Sequence, residues 1–334
     1  MKTKNYLPLV AGLLFTTLNF TSCNQLDEVS QAPITPAASV ELISDSESRA
    51  TEFNAIVDIS TLTTDYTASD GETLTGTLTN KVKISIAPGA TVVLKDLTIN
   101  GTPEDYIKMA GITCVGNATL ILEGINKVSG FHPAYPGIFI KDRYTLTIEG
   151  DGELHAISPS SSSASGIGGG LSISMHENIG VGNIVIKSGT IFAQGGMDSA
   201  GIGSSSACGC GDITILGGNV KAVGGYHATG IGTGDGAPYW PSRCGNITIA
   251  GGIVEATGGF GAAAIGTGAD ELDNAYYNSC GNITITAGVA QVTATKGEGA
   301  EHSIGKGSSL TSFGTITIGN ANGPIAASPY QYQP

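Results

Sequence analysis

The chain has 334 residues, of which 50 are glycine, and its formal net charge at pH 7 is −13. An acidic surface repels nucleic acid and anionic lipid, and the sequence lacks the basic stripes with interleaved aromatic residues that mark nucleic-acid-binding proteins. We therefore expect no nucleic-acid partner. The charge favours neutral partners, or acidic partners that are bridged by a cation.

Residues 1–22 are predicted to be a lipoprotein signal peptide. Lys2 and Lys4 form a basic start, residues 6–15 form a mostly apolar run that is too short to span a bilayer, and two small residues precede Cys23. This pattern resembles a bacterial lipoprotein signal, which implies that Cys23 is lipidated after cleavage. The alternative is an ordinary secretory signal followed by a chance cysteine.

Residues 23–52 are predicted to be a flexible, lipid-anchored linker, because they are rich in Ser, Pro, Ala and acidic residues and show no periodicity. Asp27 and Glu28 resemble the acidic export tag of some Gram-negative lipoproteins, although a chance acidic linker has the same composition. Contact with a membrane is expected through the lipid anchor only. The expected location is the outer membrane, facing the cell surface or the periplasm.

From about residue 53 to residue 320 the chain is an array of repeats. Gly-Ile-Gly occurs at 166–168, 201–203 and 230–232, and relaxed versions are centred on Ile265 and Ile304. A second block, typified by Gly-Asn-Ile-Thr-Ile, recurs at nearly constant offsets from these triplets, with spacings of 29, 34, 36 and 33 residues. Its first glycines are Gly182, Gly211, Gly245, Gly281 and Gly314. A unit that returns at this interval is typical of one coil of a solenoid.

Each repeat is predicted to form three short strands. Its alternating segments have the period of two that indicates a strand with one buried face, and glycine-rich bends separate them. Such a unit describes one coil of a parallel β-helix, in which equivalent strands of successive coils pair about 4.8 Å apart. The predicted fold is all-β, a parallel β-helix over residues 53–320, followed by a C-terminal tail at residues 321–334.

Three cysteines occupy equivalent positions in successive repeats. Cys210, Cys244 and Cys280 each precede the first glycine of the second block. In-register stacking would place their Cα atoms about one coil spacing apart, within the range that a disulfide tolerates. Three equivalent cysteines cannot all pair, and Cys208 is a candidate fourth partner. Metal binding is the alternative, although the spacing matches no familiar zinc pattern.

Two irregular insertions follow Ile231 and Ile265 and are predicted to occupy the same corner of adjacent coils. Together they carry the only tryptophan, three tyrosines, four carboxylates and one arginine. Aromatic faces flanked by polar groups suit a sugar, whose C–H patch packs on the ring while its hydroxyl groups find donors and acceptors. The predicted carbohydrate-binding residues are Asp235, Tyr239, Trp240, Arg243, Tyr276 and Tyr277.

The carboxylates of the same insertions form a candidate calcium site, because calcium takes its ligands from carboxylate and carbonyl oxygens. The candidate ligands are Asp235, Asp270, Glu271 and Asp273. Alternatively, the aromatic residues of the insertions fold back and cover the outside of the coil. A second column, Met197, Tyr226 and Phe260, follows a glycine pair in three successive repeats and is predicted to pack as a structural ladder.

Several repeat segments resemble a known family. Residues 245–249 (Gly-Asn-Ile-Thr-Ile), 251–259 (Gly-Gly-Ile-Val-Glu-Ala-Thr-Gly-Gly), 200–203 (Ala-Gly-Ile-Gly) and the opening segment 77–86 resemble secreted bacterial right-handed β-helix proteins that are described as carbohydrate-binding. That family is similar in shape to pectate-lyase-type polysaccharide lyases. The resemblance covers about residues 53–334, and it implies a right-handed parallel β-helix, calcium and plant-type polysaccharides.

The leading functional hypothesis is a non-catalytic, monomeric cell-surface lipoprotein that binds a polysaccharide through the two insertions. One alternative is a structural or adhesive surface protein whose coils present loops to other macromolecules. A further alternative is a calcium-dependent polysaccharide lyase, in which Arg243 abstracts a proton while calcium on Asp235 and Asp270 neutralises a uronate. The leading hypothesis requires no catalytic residue.

Overall fold

The computed structural model describes residues 55–102, 107–170, 180–236, 241–269, 278–308 and 311–334. The signal peptide, Cys23 and the linker predicted for residues 1–52 lie outside these ranges. Within them, the one helical element is a 3-10 turn at Ile59–Thr61, and every other regular element is a β-strand. No helix in the described part of the chain is long and apolar enough to span a bilayer.

The strands stack in columns, each of which holds equivalent strands of successive coils. They form three sheets, with 18, nine and four strands. Neighbouring strands within the helix pair in parallel and in register, so that Ile213 lies beside Ile247 and Ile247 lies beside Ile283. The predicted all-β parallel β-helix is confirmed. The β-helix forms because equivalent positions of successive repeats carry similar side chains, which pack on one another.

The 18-stranded sheet contains two columns that share one long strand, Thr91–Asn100. The first column also holds Ala55–Asp58, Glu72–Thr77, Ala118–Glu123, Thr145–Gly150, Asn183–Ile186, Ile213–Ile215, Ile247–Ile249, Ile283–Ile285 and Ile316–Ile318. The second column also holds Ile125–Ser129, Glu153–Ile157, Thr190–Gln194, Asn219–Val223, Ile253–Thr257 and Gln291–Thr295.

The nine-stranded sheet is the third column, and it contains the Gly-Ile-Gly triplets. Its strands are Tyr66–Ala68, Ile84–Ile86, Ile112–Cys114, Ile138–Ile140, Ile167–Gly168, Ile202–Gly203, Ile231–Gly232, Ile265–Gly266 and Ile304–Gly305. Aliphatic side chains from the three columns meet inside the coil and are fully buried, as Ile231, Ile247 and Val254 illustrate. Because each such side chain contributes about 1.5–3 kcal/mol on burial, this interior stack is the main source of stability.

A fourth column of two-residue strands appears in the second half of the helix. Its strands are Gly209–Cys210, Arg243–Cys244, Ser279–Cys280 and Ser312–Phe313. The predicted number of three strands per coil is therefore correct for the first half of the helix. In the second half each coil has a fourth, two-residue strand. Two residues are too few to show an alternating pattern, which is why the sequence does not reveal these strands.

Residues 321–334, predicted as a tail, contribute two antiparallel strands. Ala321–Asn322 pairs with Ile316–Ile318, and Tyr330–Tyr332 pairs with Gln291–Thr295. Both partners are the last strands of their columns. The end of the chain therefore covers edges that would otherwise be open to pairing with another chain.

A ladder of polar side chains lines the start of the first column. The Oδ1 atom of Asn183 accepts the backbone N–H of Asp212 at 2.9 Å, and Oδ1 of Asp212 accepts the N–H of Asn246 at 2.7 Å. Asn246 and Asn282 continue the series by accepting the N–H groups of Asn282 (3.0 Å) and Thr315 (2.8 Å). The recurring Asn or Asp of the repeat thus satisfies a backbone donor of the next coil.

The glycine before each of these residues makes room for the ladder. A Cβ atom on Gly245 would lie 2.3 Å from Oδ1 of Asp212, and one on Gly281 would lie 2.8 Å from Oδ1 of Asn246. Contacts this short are not tolerated by a real Cβ atom. The glycine and the Asn or Asp that follows it therefore act together, because the glycine leaves space for the side-chain oxygen of the preceding coil.

We expect Asn246→Ala to lower the free energy of unfolding by about 1 kcal/mol, because the N–H of Asn282 loses its acceptor and bonds to water instead. Urea denaturation followed by circular dichroism measures the change. Asn219→Ala is the matched control, since Asn219 is exposed in the second column, and it should change stability by less than about 0.5 kcal/mol. Equal losses in the two variants would contradict a role for the ladder.

Candidate functional site

A groove of about 780 Å³ crosses the bends that follow the second column of strands. Residues from five successive coils line it, from Ser160 at one end to Glu298 at the other. The groove therefore runs along the axis of the helix. An elongated ligand lying in it would meet the same bend of each coil in turn.

Glycine pairs form the floor of the groove, because the backbones of successive coils approach closely there. The N–H of Gly225 donates to the carbonyl of Ser199 at 3.0 Å, and the N–H of Gly259 donates to the carbonyl of Ala228 at 2.9 Å. A Cβ atom on Gly225 would lie 1.6 Å from the carbonyl oxygen of Gly196. No side chain fits at this position, so the floor is bare backbone.

Three apolar side chains stand in the groove and are open to solvent. Met197 is 50% exposed, Tyr226 is 59% exposed and Phe260 is 39% exposed. The rings of Tyr226 and Phe260 are stacked, with centroids 5.6 Å apart and an interplanar angle of 10°. The predicted stacking is confirmed for Tyr226 and Phe260. The exposure of the column is a further finding, because it leaves these side chains open to a ligand.

The remaining lining residues are polar and carry little charge. Ser160 and Gln194 supply hydrogen-bonding groups near one end of the groove, and Glu298 supplies one carboxylate at the other end. Among the described residues that line the groove there is no lysine or arginine. The groove thus combines an aromatic platform with hydrogen-bonding groups and has no site for a strongly anionic ligand.

His227 follows Tyr226 and connects the groove to two carboxylates. Its ring lies 4.3 Å from that of Tyr226 and 6.2 Å from that of Phe260. Its Nδ1 atom lies 3.3 Å from Oδ1 of Asp198 and 3.9 Å from Oδ2 of Asp235. The three side chains are 17–25% exposed. The two carboxylates hold the imidazole in place, and the imidazole in turn supports the aromatic stack.

These three residues are also the one set of three metal-ligating side chains that lies within 4.8 Å in the described part of the chain. An imidazole and two carboxylates form a ligand set that suits first-row transition metals better than calcium, which takes oxygen ligands. The carboxylate of Asp235, predicted to bind calcium, therefore faces a histidine. The other candidate calcium ligands, Asp270, Glu271 and Asp273, lie outside the described residues, so calcium binding stays a prediction.

The predicted carbohydrate site is described only in part. Ile231 and Ile265 are paired in register and fully buried, which confirms that the two insertions start from adjacent positions. Four of the predicted binding residues lie outside the described residues: Tyr239, Trp240, Tyr276 and Tyr277. The other two face different surroundings. Asp235 lies beside His227, whereas Arg243 is exposed and lines a separate pocket of about 370 Å³ with Asp142 and Cys210.

The sequence contains a signal for the groove. Gly-Gly-Met, Gly-Gly-Tyr and Gly-Gly-Phe recur at equivalent positions, and this recurrence correctly predicts the stacking of Tyr226 on Phe260. Exposure cannot be read from the recurrence, because it depends on whether a neighbouring bend covers the rings.

Comparisons with protein-family models, with curated proteins and with solved structures found no match to this chain. The resemblance to carbohydrate-binding β-helix proteins therefore rests on the quoted segments alone. The fold that it implies, a parallel β-helix, is present. Membership of that family stays a prediction.

Proposed function

We propose that this protein is a non-catalytic binding protein that holds a neutral polysaccharide along the groove from Ser160 to Glu298. The observation that carries the proposal is the exposed, stacked pair Tyr226 and Phe260 on a floor of bare backbone. Sugar rings present an apolar C–H face that packs on aromatic rings. Their hydroxyl groups would bond to Gln194, Ser160 and Glu298 at the ends of the platform.

The shape of the groove supports a polymer rather than a single sugar. The lining repeats once per coil over five coils, and coils are spaced by about 4.8 Å. A chain of sugars lying along the helix axis would pack on successive positions of the column. A single sugar would contact one or two of these positions and leave the others exposed.

The charges support a neutral ligand and binding rather than catalysis. The whole chain carries a net charge of −13, and the groove adds a carboxylate without a compensating lysine or arginine. A polyuronate would be repelled. Glycoside hydrolysis by the common mechanisms requires two carboxylates at the scissile bond, whereas the described part of the groove lining contains one, that of Glu298.

The cellular setting is part of the same proposal. A lipoprotein signal ending at Cys23 would tether the β-helix to the outer membrane through the acidic linker, with the groove free to reach glycans at the cell surface. Labelling of cells with radioactive palmitate tests the anchor, and Cys23→Ser should abolish the label while the protein is still made. Persistent labelling of that variant would contradict lipidation at Cys23.

A polysaccharide array probed with the purified chain, with and without calcium, tests the binding. We expect retention on a neutral polysaccharide irrespective of calcium. Tyr226→Ala and Phe260→Ala should each weaken retention by about tenfold, since each removes one aromatic contact of about 1 kcal/mol or more. Tyr144→Ala is the matched control, because Tyr144 is an exposed tyrosine that does not line the groove.

The same array distinguishes the groove from the two insertions. Trp240→Ala should leave retention unchanged if the groove is the site. Loss of retention in Trp240→Ala but not in Tyr226→Ala would move the site to the insertions. Binding of polyuronates only with calcium would overturn a neutral ligand. An array without any retained glycan, together with binding to a protein of a neighbouring cell, would favour the structural or adhesive alternative.

A further inference from the structure

Three thiols meet in the fourth column of strands. Cys210 pairs in register with Cys244, and Cys244 pairs in register with Cys280. The Sγ atoms of Cys210 and Cys244 are 3.2 Å apart, and the structure has both cysteines as free thiols. The residues on either side of the three cysteines in the column are not cysteines. Val181 pairs with Cys210 at one end, and Phe313 pairs with Cys280 at the other end. The column therefore contains three thiols and no more.

The remaining cysteines have different surroundings. Cys208 is 2% exposed, and the position equivalent to it in the next coil is occupied by Ser242. Cys114 lies in the third column between Ile86 and Ile140 and is fully buried. Both thiols are buried, and burial raises their pKa to about 12, so we expect both to react slowly with thiol reagents in the folded chain. The sequence leaves Cys208 open as a fourth partner, and the nearby Cys210 also contributes to the raised Cys208 pKa. Because Cys208 is buried, we expect an oxidant to reach it less readily than it reaches Cys210.

The arrangement also favours a disulfide over a metal. A zinc site needs three or four ligands around one point, whereas stacked thiols lie in a row. Within the described ranges no compact set of three ligands includes a cysteine. A row of thiols with one pair in contact is suited to forming a disulfide between neighbours and to exchanging it.

We propose that Cys210, Cys244 and Cys280 form a thiol–disulfide exchange column, in which Cys210 and Cys244 are oxidised first and Cys280 is the alternative partner of Cys244. Cys244 is shared, so the two disulfides exclude each other and one thiol of the column always stays reduced. Either bond would cross-link two adjacent coils of the helix. The proposal depends on the column alone and is independent of glycan binding.

Access determines the order of the steps. Cys210 is half-buried and lines the pocket that also contains Arg243, whereas Cys244 and Cys280 are 7% and 6% exposed. A small disulfide oxidant therefore reaches Cys210 first. Hydrogen bonding to Cys210 and to Cys280, together with burial, raises the pKa of the Cys244 thiol. The Cys244 thiol is therefore slow to attack the oxidant directly. It reacts after Cys210 has formed a mixed disulfide beside it.

The chemistry is balanced with a disulfide oxidant, RSSR. The Cys210 thiolate attacks one sulfur of RSSR, which forms a mixed disulfide and releases one RS⁻ that takes up a proton. Cys244 then loses its proton and attacks Sγ of Cys210, which forms the Cys210–Cys244 bond and releases a second RSH. Two thiols are oxidised and one RSSR is reduced to two RSH. Exchange follows when the Cys280 thiolate attacks Sγ of Cys244 and releases the Cys210 thiolate.

The test uses the full chain, reduced and then incubated with oxidised glutathione. Acid quenching, alkylation in denaturant and mass spectrometry count the remaining thiols. Trypsin combined with a glutamate-specific protease separates Cys244 from Cys280 at Glu255, and fragment ions distinguish Cys208 from Cys210. Cys23, the sixth cysteine of the chain, lies on a separate peptide and is counted apart. Among the other five we expect the wild-type chain to lose two thiols and to yield a Cys210–Cys244 peptide, with Cys244–Cys280 as the second species and Cys114 and Cys208 reduced.

Serine variants separate the roles of the three positions. Cys280→Ser should form the Cys210–Cys244 bond as the wild type does. Cys210→Ser should form only Cys244–Cys280, about tenfold more slowly because the exposed thiol is missing. Cys244→Ser should form no internal disulfide and should keep glutathione on Cys210. Far-ultraviolet circular dichroism confirms that each variant is folded.

Two results would overturn the proposal. One is a wild-type chain in which all five thiols at Cys114, Cys208, Cys210, Cys244 and Cys280 remain alkylatable after oxidation. The other is a disulfide in Cys244→Ser that links Cys210 to Cys280 or to Cys208. The wild-type measurement alone decides whether a disulfide forms on oxidation. A variant that fails to fold therefore does not weaken the test.

Discussion

Gly232→Ala is expected to lower the free energy of unfolding by about 4 kcal/mol or more. Gly232 ends the third Gly-Ile-Gly triplet and has φ of +133°, a conformation that L side chains rarely adopt. A Cβ atom there would also lie 2.1 Å from the carbonyl oxygen of Gly266 in the next coil. That obstacle is backbone held in the same column, so it cannot move aside without separating two coils. Urea or thermal denaturation of the purified variant measures the loss.

Gly209→Ala is the matched control for this prediction. Gly209 also lies in a short strand of the second half of the helix, but a Cβ atom built on it meets nothing within 4 Å. Its φ is not positive. We expect a change within about 0.5 kcal/mol. A mild effect of Gly232→Ala, similar to that of Gly209→Ala, would show that the triplet glycines are not required by the stacking of coils.

Asn126→Leu is expected to cost about 3 kcal/mol, although it replaces a polar residue by an apolar one in the core. Asn126 is fully buried and pairs in register with Leu154, at an interior position that is aliphatic in later coils. Its Oδ1 atom accepts the N–H of Leu97 at 3.0 Å, and its Nδ2 atom donates to the carbonyls of Glu123 and Glu153 at 3.0 and 3.2 Å. Leucine leaves these groups unsatisfied, and each buried unsatisfied group costs about 1–3 kcal/mol.

The repeat pattern alone leads to the opposite expectation, that Asn126→Leu stabilises the protein. A consensus of the repeats would place an aliphatic residue at position 126 and would predict stabilisation. Asn100→Leu is the control, because Asn100 is exposed at the end of its strand, and its effect should stay within about 0.5 kcal/mol. Increased stability of Asn126→Leu in chemical denaturation would show that hydrophobic stacking outweighs the three hydrogen bonds.

Much of the fold can be predicted because the repeats encode contacts between neighbours. Ile213, Ile247 and Ile283 have the same place in their repeats, and the structure stacks them in register. The same reasoning predicts the adjacency of Ile231 and Ile265 and the column of Cys210, Cys244 and Cys280. In each case one local rule is enough to predict the contact: equivalent positions of successive repeats stack on one another.

The groove and the thiol contact could be predicted only in part. The alignment of Met197, Tyr226 and Phe260 is visible in the sequence, whereas their exposure is not. The sequence shows that the cysteines are aligned, but not that they lie on a separate strand with Cys210 open to a pocket. Asp235 is recognisable as a polar residue of an insertion, yet nothing in its repeat indicates that it meets His227.

The sequence by itself determined the all-β coil, its register and its buried columns, since a solenoid repeats one short-range arrangement and each position is defined by its counterpart in the next coil. The tertiary structure alone decided which bends remain uncovered, which thiol reaches solvent, how the C-terminal strands cover the last coil, and why an asparagine belongs in the core at position 126. These features arise where the repeat is broken or where two bends leave space between them. A periodic pattern contains no information about such places, because exposure and hydrogen bonding there depend on the whole surface around them.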